Sequence, residues 1–373
     1  MSDALAAAVR AHLETETGGT VEIQSLRPLA GGACQDNFRV DVTLQRPTDA
    51  GAPGPRRFVL RSDALRSLPG SIPRRVEARV IGAAVDAGVR TPPARYGTED
   101  LVREGASACF LDWRDGVAIG RKVVSSAELA SARVGLLTEL GGELARIHSI
   151  RPEHAPDLFE GAARAEHAGG HDATAHEPEA YGSPRAAPGA AFELDPVADA
   201  LDALSRQLEA MHEPHPALRW VLRWLRANAP SAPEVCLVHG DFRVGNFLVS
   251  PAGLQAVLDW EFSHWGAPEE DLAWICVRDW RFGRLDLPAG GIGSREALVA
   301  AYERAAGRRV AAADLHWWEV MGNARWAAGA VHQAERVLSG DETDLEYVAI
   351  GRRAAEMEWE ALRLARRGPA AVA

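Results

Sequence analysis

The stretch that most restricts the fold is Val235–Trp274, VCLVHGDFRVGNFLVSPAGLQAVLDWEFSHWGAPEEDLAW. A short apolar run, Val235–Val238, leads into His239-Gly240-Asp241. A second run, Phe247-Leu248-Val249, is followed by Pro251-Ala252-Gly253 and a third run, Ala256-Val257-Leu258. Short apolar runs bounded by Gly and Pro read as strands, and two strands joined by a tight turn lie antiparallel. The pairing brings Asn246, just ahead of one strand, close to Asp259, just behind the other, with Asp241 on the adjoining loop. A lone Asp or Asn beside a strand is ordinarily a turn or cap residue. Two carboxylates and an amide oxygen converging on one point form a different object. They offer hard oxygen ligands to Mg²⁺, and one carboxylate remains to orient a hydroxyl and accept its proton.

The flanking sequence sorts into an α+β pattern. Val21 and Ile23, then Phe38, Val40, Val42 and Leu44, alternate with period two, and Phe58-Val59-Leu60 ends in Arg61. A helix is expected over Arg74–Gly88, with Val76, Val80, Ile81, Ala84 and Val85 on its apolar face; a strand through Cys109-Phe110-Leu111 follows. After Gly116 helical patterns dominate, beginning with Leu136, Leu140, Leu144 and Ile147. The chain therefore divides at about Leu111 into a small β-rich part, 1–111, and a larger helical part, 112–373. Residues 151–191 have no period and read as a variable surface insertion. Its irregularly spaced His154, His167, His171 and His176 do not make a metal motif.

Composition removes several functions. The formal charge of −11 argues against a nucleic-acid partner, which needs surplus cationic side chains. No apolar run reaches membrane-spanning length, and Met1–Gly19 carries Asp3, Glu14 and Glu16, so it reads as a surface helix. Cys34, Cys109, Cys236 and Cys276 are scattered in apolar surroundings, which fits free thiols in a reducing cytoplasm. Lys122 is the single lysine.

His239-x-Asp241-x4-Asn246 has the spacing of the kinase catalytic loop, and HGD followed by Leu258-Asp259-Trp260 resembles the aminoglycoside phosphotransferase and choline kinase superfamily. The longer string is most similar to the phosphotransferase enzyme family, in the branch of kinase-like domains associated with acyl-CoA dehydrogenases. The resemblance implies a two-lobed protein-kinase-like fold holding Mg²⁺ and ATP or GTP in its cleft. It implies a transfer of the γ-phosphoryl group to a small-molecule hydroxyl.

Carried over by motif, Asp241 is the catalytic aspartate, Asn246 and Asp259 are the metal ligands, and His239 braces the loop. Asp271 becomes a structural aspartate. Arg243 stands where a protein kinase has a phosphate-contacting lysine. The strand lysine that grips phosphate is here Arg61, with Glu77 on the next helix to hold it; arginine keeps the charge in a planar fork of different reach. Gly31 and Gly32 would form the phosphate-covering turn, and Leu111-Asp112-Trp113 the hinge that meets the nucleobase. Glu261 reads as a solvated loop residue.

The acceptor stays open at this level: an aminoglycoside-like alcohol, a hydroxyacyl-CoA-type or other metabolic alcohol, or none, if the chain is a nucleotide-binding regulatory pseudokinase. Trp260, Trp265, Trp274 and Trp280 default to core, while Trp317, Trp318 and Trp326 favour an apolar or sugar-like acceptor. Intact Asp241, Asn246 and Asp259 weigh against a pseudokinase, and the absence of HRD, DFG and APE strings weighs against a protein kinase. Oligomeric state is not encoded in any of these features.

Overall fold

Alternation builds the first sheet. β1 (Thr20–Pro28), β2 (Gln35–Gln45), β3 (Gly54–Asp63), β4 (Ala94–Glu99) and β5 (Ser107–Asp112) pair antiparallel in the order β1-β2-β3-β5-β4. In the computed structural model, residues 3–29, 35–45, 53–64, 68, 70–162, 194–231, 233–340 and 345–369 are described. Val40, Val42, Leu44, Phe58, Leu60, Ala108 and Phe110 form one buried cluster with Val9 and Leu13 of α1 (Asp3–Thr17). Because successive side chains of a strand point to opposite faces, Arg61 beside Leu60 is turned away from α1. Arg61 pairs in register with Asn37 on one side and Cys109 on the other. Its face belongs to α2 (Arg74–Asp86) and the cleft.

α2 forms because Val76, Val80, Ile81 and Ala84 recur at helical spacing, with Pro73 ahead of its first turn and Gly88, at φ 79°, behind it. Those side chains are buried in the large core, whereas Val85, expected among them, is 38% exposed. α2 is thus packed with the second part of the molecule, and backbone contacts repeat the connection. The Ile72 N–H donates to the Glu261 carbonyl at 2.7 Å, and the Val257 N–H to the Arg90 carbonyl at 2.7 Å.

The second part runs through α3 (Gly120–Ser125), α4 (Ala130–Ile147), α5 (Pro196–Ala210) and α6 (Pro216–Ala227) to the strands β6 (Cys236–Val238), β7 (Phe247–Ser250), β8 (Gly253–Val257) and β9 (His264–Gly266). It closes with α7 (Pro268–Trp274), α8 (Arg295–Ala306), α9 (Ala312–Leu338), α10 (Leu345–Gly351) and α11 (Ala354–Arg367). α5 starts at Asp195, whose Oδ1 accepts from the N–H groups of Val197 and Ala198 at 3.0 and 3.1 Å. The molecule has a β-sheet N-terminal region and a mostly helical C-terminal part, the two-lobed arrangement of a kinase. No helix among the described residues is long and apolar enough to cross a membrane.

The segment expected to be a surface insertion from residue 151 begins as packed structure. Leu158 and Ala162 are buried, Phe159 meets Trp265 edge-on at 5.4 Å, and Arg75 of α2 donates to the Gly161 carbonyl at 2.6 Å. Residues 163–193 lie outside the described residues, with His167, His171 and His176 among them.

α4 and α8 meet where Gly141 has no side chain: a Cβ there would stand 2.7 Å from the Tyr302 nitrogen and 2.8 Å from the Ala301 Cβ. Gly141→Ala should destabilise the fold by about 1–3 kcal/mol, as overpacking does elsewhere, read as a lower urea midpoint at unchanged slope. A midpoint equal to that of the parent would mean the two helices are not in close contact.

Candidate active site

The hairpin forms as its sequence dictates: Phe247 pairs with Val257 and Ser250 with Gly253, and the ladder continues when the Leu258 N–H donates to the Asn246 carbonyl at 2.8 Å. Asn246 and Asp259 therefore flank one end of it. Asp259 ends the strand in left-handed backbone, φ 66°, ψ 62°, a conformation unusual for a residue with a side chain and often found where function demands it. Asp241 follows Gly240, whose φ is 78°. A Cβ on Gly240 would lie 2.1 Å from the Phe262 carbonyl oxygen, so only glycine lets the two segments touch.

Asp241 is gripped by three donors. Arg243 Nε reaches its Oδ1 and Oδ2 at 3.0 and 3.1 Å, Trp274 Nε1 reaches Oδ1 at 2.7 Å, and Asn246 Nδ2 reaches Oδ2 at 2.7 Å. The same Asn246 nitrogen donates to the Asp241 carbonyl at 2.9 Å. With its nitrogen committed, Asn246 presents its amide oxygen as the group that can meet a cation.

His239 is a brace. Its Nδ1 accepts from the Asp241 N–H at 3.2 Å, so the proton sits on Nε2, which donates to the Leu258 carbonyl at 2.9 Å. One fully buried ring thereby fastens the Asp241 loop to the strand that carries Asp259. Beneath it, Asp271 accepts from the N–H of His239 at 2.7 Å and of Gly240 at 3.0 Å. His148 Nε2 lies 3.2 Å from the same carboxylate, with its other ring nitrogen 3.1 Å from the Tyr302 hydroxyl. Burial works against ionisation of Asp271, but the hydrogen bonds and the two histidines outweigh it and hold the carboxyl below its ordinary range.

Arg61 connects the two parts. Its Nη2 is 3.3 Å from Glu77 Oε1 and 2.8 Å from Asp259 Oδ1, so the arginine in the lysine position is held by the helix glutamate and touches a proposed metal ligand. Burial opposes its charge, and Glu77, Asp259 and Glu261 more than restore it. Desolvation likewise opposes ionisation of Asp259, while Arg61 and Arg243 keep its carboxyl below the usual value. The Asp259 side chain retains 43% exposure, enough to be reached by a ligand.

Arg74, which no motif marks, completes the cluster. It is buried and contacts Glu77, Asp63 at 3.3 Å and Glu261 at 3.4 Å. Glu261 is consequently not solvated: only 9% of it is exposed, and burial pushes its carboxyl up to about 7, against the pull of Arg74 and with a further push from Asp259. A spacing of three residues between Arg74 and Glu77 on one helix is the signal that could have pointed to Arg74.

The remaining expected positions are dispersed. Gly31 and Gly32 lie outside the described residues. Leu111 is buried in β5, paired with Val59 and Ala94. Trp113 follows β5; its N–H donates to the Arg57 carbonyl at 3.0 Å, and its ring lies under Arg39 and Arg57 at 4.9 and 5.5 Å. Trp260, Trp265, Trp274 and Trp280 are buried in the core as expected, and Trp317 and Trp318, expected to favour an acceptor, are buried there too, because α9 packs them inward. Trp274 also reaches Asp241, and Trp280 and Trp326 adjoin it.

The chain has relatives in sequence and in fold. The mouse protein acyl-CoA dehydrogenase family member 10 is 26% identical over 226 residues, which is 60% of this chain but only 18% of that protein's length. A candidate aminoglycoside phosphotransferase from Ralstonia eutropha superposes with a TM-score of 0.70 at 20% identity, covering 98% of this chain and 99% of its own. A thermostable mutant of aminoglycoside phosphotransferase APH(4)-Ia, solved with AMP-PNP and hygromycin B, superposes with a TM-score of 0.57 at 17% identity, covering 96% and 98%. A family model for the phosphotransferase enzyme family matches residues 25–314, from β1 into the start of α9, and the chain belongs to that family.

Proposed function

We propose that this chain is a small-molecule kinase that transfers the γ-phosphoryl group of ATP or GTP to a hydroxyl. The observation that carries this reading is the arrangement around Asn246, whose side-chain nitrogen is spent on Asp241 while its backbone carbonyl accepts from Leu258, the residue next to Asp259. Asn246 and Asp259 supply two hard oxygen ligands, which suits Mg²⁺, an ion that takes its other ligands from phosphates and water. When bound, Mg²⁺ would supply charge neutralisation on the phosphate oxygens. Among the described residues no group of three or more His, Cys, Asp or Glu could hold a metal instead.

The chain's own residues then divide the work. Asp241 orients the acceptor hydroxyl and takes its proton as the oxygen bonds to phosphorus and the nucleoside diphosphate departs. Arg243, with one nitrogen on Asp241, offsets negative charge at the transferring group. Arg61 is positioned by Glu77 to meet the donor phosphates. By motif, the turn with Gly31 and Gly32 would cover the phosphates, and the backbone of Leu111–Trp113 would meet the nucleobase. The match to an acyl-CoA dehydrogenase family member supports a hydroxyl on an acyl metabolite as one acceptor class. Buried Cys109, Cys236 and Cys276, free thiols all three, are in keeping with a reducing cytoplasm.

Thermal unfolding with MgATP, with MgGTP and without metal tests the reading, since a ligand of the folded state raises the melting temperature by mass action. A rise that requires Mg²⁺ and disappears in Asp259→Ala is expected. A rise of equal size without metal, or in the variant, would remove Asp259 from the nucleotide site.

A further inference from the structure

Resting on the kinase reading above, we propose that the wall beside Asp241 excludes ammonium groups, so the acceptor is a neutral or anionic hydroxyl compound and not a polyamine-like or choline-like cation. The wall is built from three indoles. Trp274, whose Nε1 holds Asp241, Trp280 and Trp326 stand with ring centroids 5.8, 4.7 and 6.4 Å apart. Clustered indoles next to a catalytic carboxylate could form a cage for a quaternary ammonium, because an open indole face attracts cations. Here the two indoles nearest Asp241 and Arg243, Trp274 and Trp280, already carry the protein's own cations. The Arg243 guanidinium lies 4.4 Å above the Trp280 ring, and the Arg325 guanidinium 4.6 Å above Trp274. The indoles of Trp274 and Trp280 are 5% and 6% exposed, whereas the Arg243 and Arg325 side chains keep 26% and 20%. An incoming molecule meets guanidinium first.

The second way to bind an ammonium group is through a carboxylate with no partner, and this wall offers none among the described residues. Asp241 carries Arg243 at 3.0 Å, and Glu270 carries Arg325 at 2.6 Å. Asp279 carries Arg353 at 2.5 Å and accepts from Trp326 Nε1 at 2.7 Å. A cationic acceptor would have to break one of these pairs and leave an arginine uncompensated in a half-buried place. The buried polar atom of the wall that has no partner among the described residues is a donor, Nε1 of Trp280. The overall charge of −11, which taken alone suits a polycation, is therefore not the local field that an acceptor meets.

Calorimetric titration of the full chain, saturated with MgATP, tests the idea with tetramethylammonium and kanamycin as probes. Neither should give a binding heat with the parent protein at millimolar concentration. Arg325→Gln, which uncovers the Trp274 face, should bind tetramethylammonium about tenfold or more tightly than the parent. Arg353→Ala, at a side chain 44% exposed, should release Asp279 and gain kanamycin affinity, and it serves if Arg325→Gln does not fold. Binding of either cation by the parent protein would overturn the proposal. So would folded variants with no gain, because the arginines would then not be what excludes cations. The melting-temperature response to MgATP in the same samples reads the kinase assignment separately. Its absence alongside intact cation exclusion would sink that assignment and leave the character of the wall standing.

Discussion

Asp241→Asn is expected to lower kcat about 10²- to 10⁴-fold, the range that a positioned general base contributes, while the MgATP-dependent rise in melting temperature persists. The physical case is that Asp241 is more thoroughly held than a loop aspartate needs to be. Arg243, Trp274 and Asn246 fix both carboxylate oxygens, and His239 fixes its backbone N–H. Asparagine has the same shape and keeps one acceptor oxygen, but it cannot take a proton. Its nitrogen would also face donors and weaken the grip on the loop. In the proposed reading the nucleotide is held by Arg61 and Asp259, which pair with each other and not with Asp241. A variant retaining more than a small fraction of parental turnover would show that the proton goes elsewhere. Loss of the nucleotide response would instead place Asp241 in the phosphate or metal shell.

The largest stability effect is expected at Asp271, a residue that should touch neither nucleotide nor acceptor. Asp271→Asn should cost about 3–5 kcal/mol at neutral pH, the scale on which breaking a buried charged hydrogen-bonded group is felt. Its carboxylate takes the backbone N–H groups of His239 and Gly240 and one contact from His148, all buried. An amide would turn two hydrogens towards existing donors. The folded-state pKa of Asp271 is depressed, so its contribution is fully present above the unfolded value of about 4 and is lost as pH falls through the folded pKa. Urea unfolding at neutral and acid pH reads both parts: the variant should be less stable at pH 7, and the difference should shrink towards low pH. A pH-independent difference would mean that packing, not charge, is what Asp271 provides.

Local geometry explains why the reactive hairpin was legible in the chain. The turn after Ser250 joins two short strands, so Asn246 and Asp259 are neighbours as soon as the hairpin closes, whatever the rest of the molecule does. Arg61 is singled out by the family resemblance alone; the alternation of β3, with Leu60 in one core, is what turns it to the opposite face in the structure. Glu261 was misread because nothing within a few residues announces its burial; that comes from Arg74, 187 positions away in sequence. Val85 fits the apolar stripe of α2 by pattern, yet it falls at the margin of the packed face and remains 38% exposed. Residues 151–162 lack periodicity because they pack through isolated side chains, Leu158 and Ala162, and through backbone carbonyls that serve Arg75 and Arg79. Carbonyls are invisible to a reading of side chains.

By itself the sequence determined the hairpin that carries Asn246 and Asp259 at one end, the loop that holds Asp241 beside it, and the strand that carries Arg61. These are short-range consequences of alternation, turn chemistry and residue type. Only the tertiary structure decided that one Arg61 nitrogen bridges Glu77 and Asp259, that an indole from α7 steadies Asp241, and that Arg325 of α9 and Arg243 cover the tryptophans beside it. Those partners meet because helices and strands remote in the chain are packed around one buried core. Such meetings are fixed by volume and shape over the whole domain, and no local pattern carries that information.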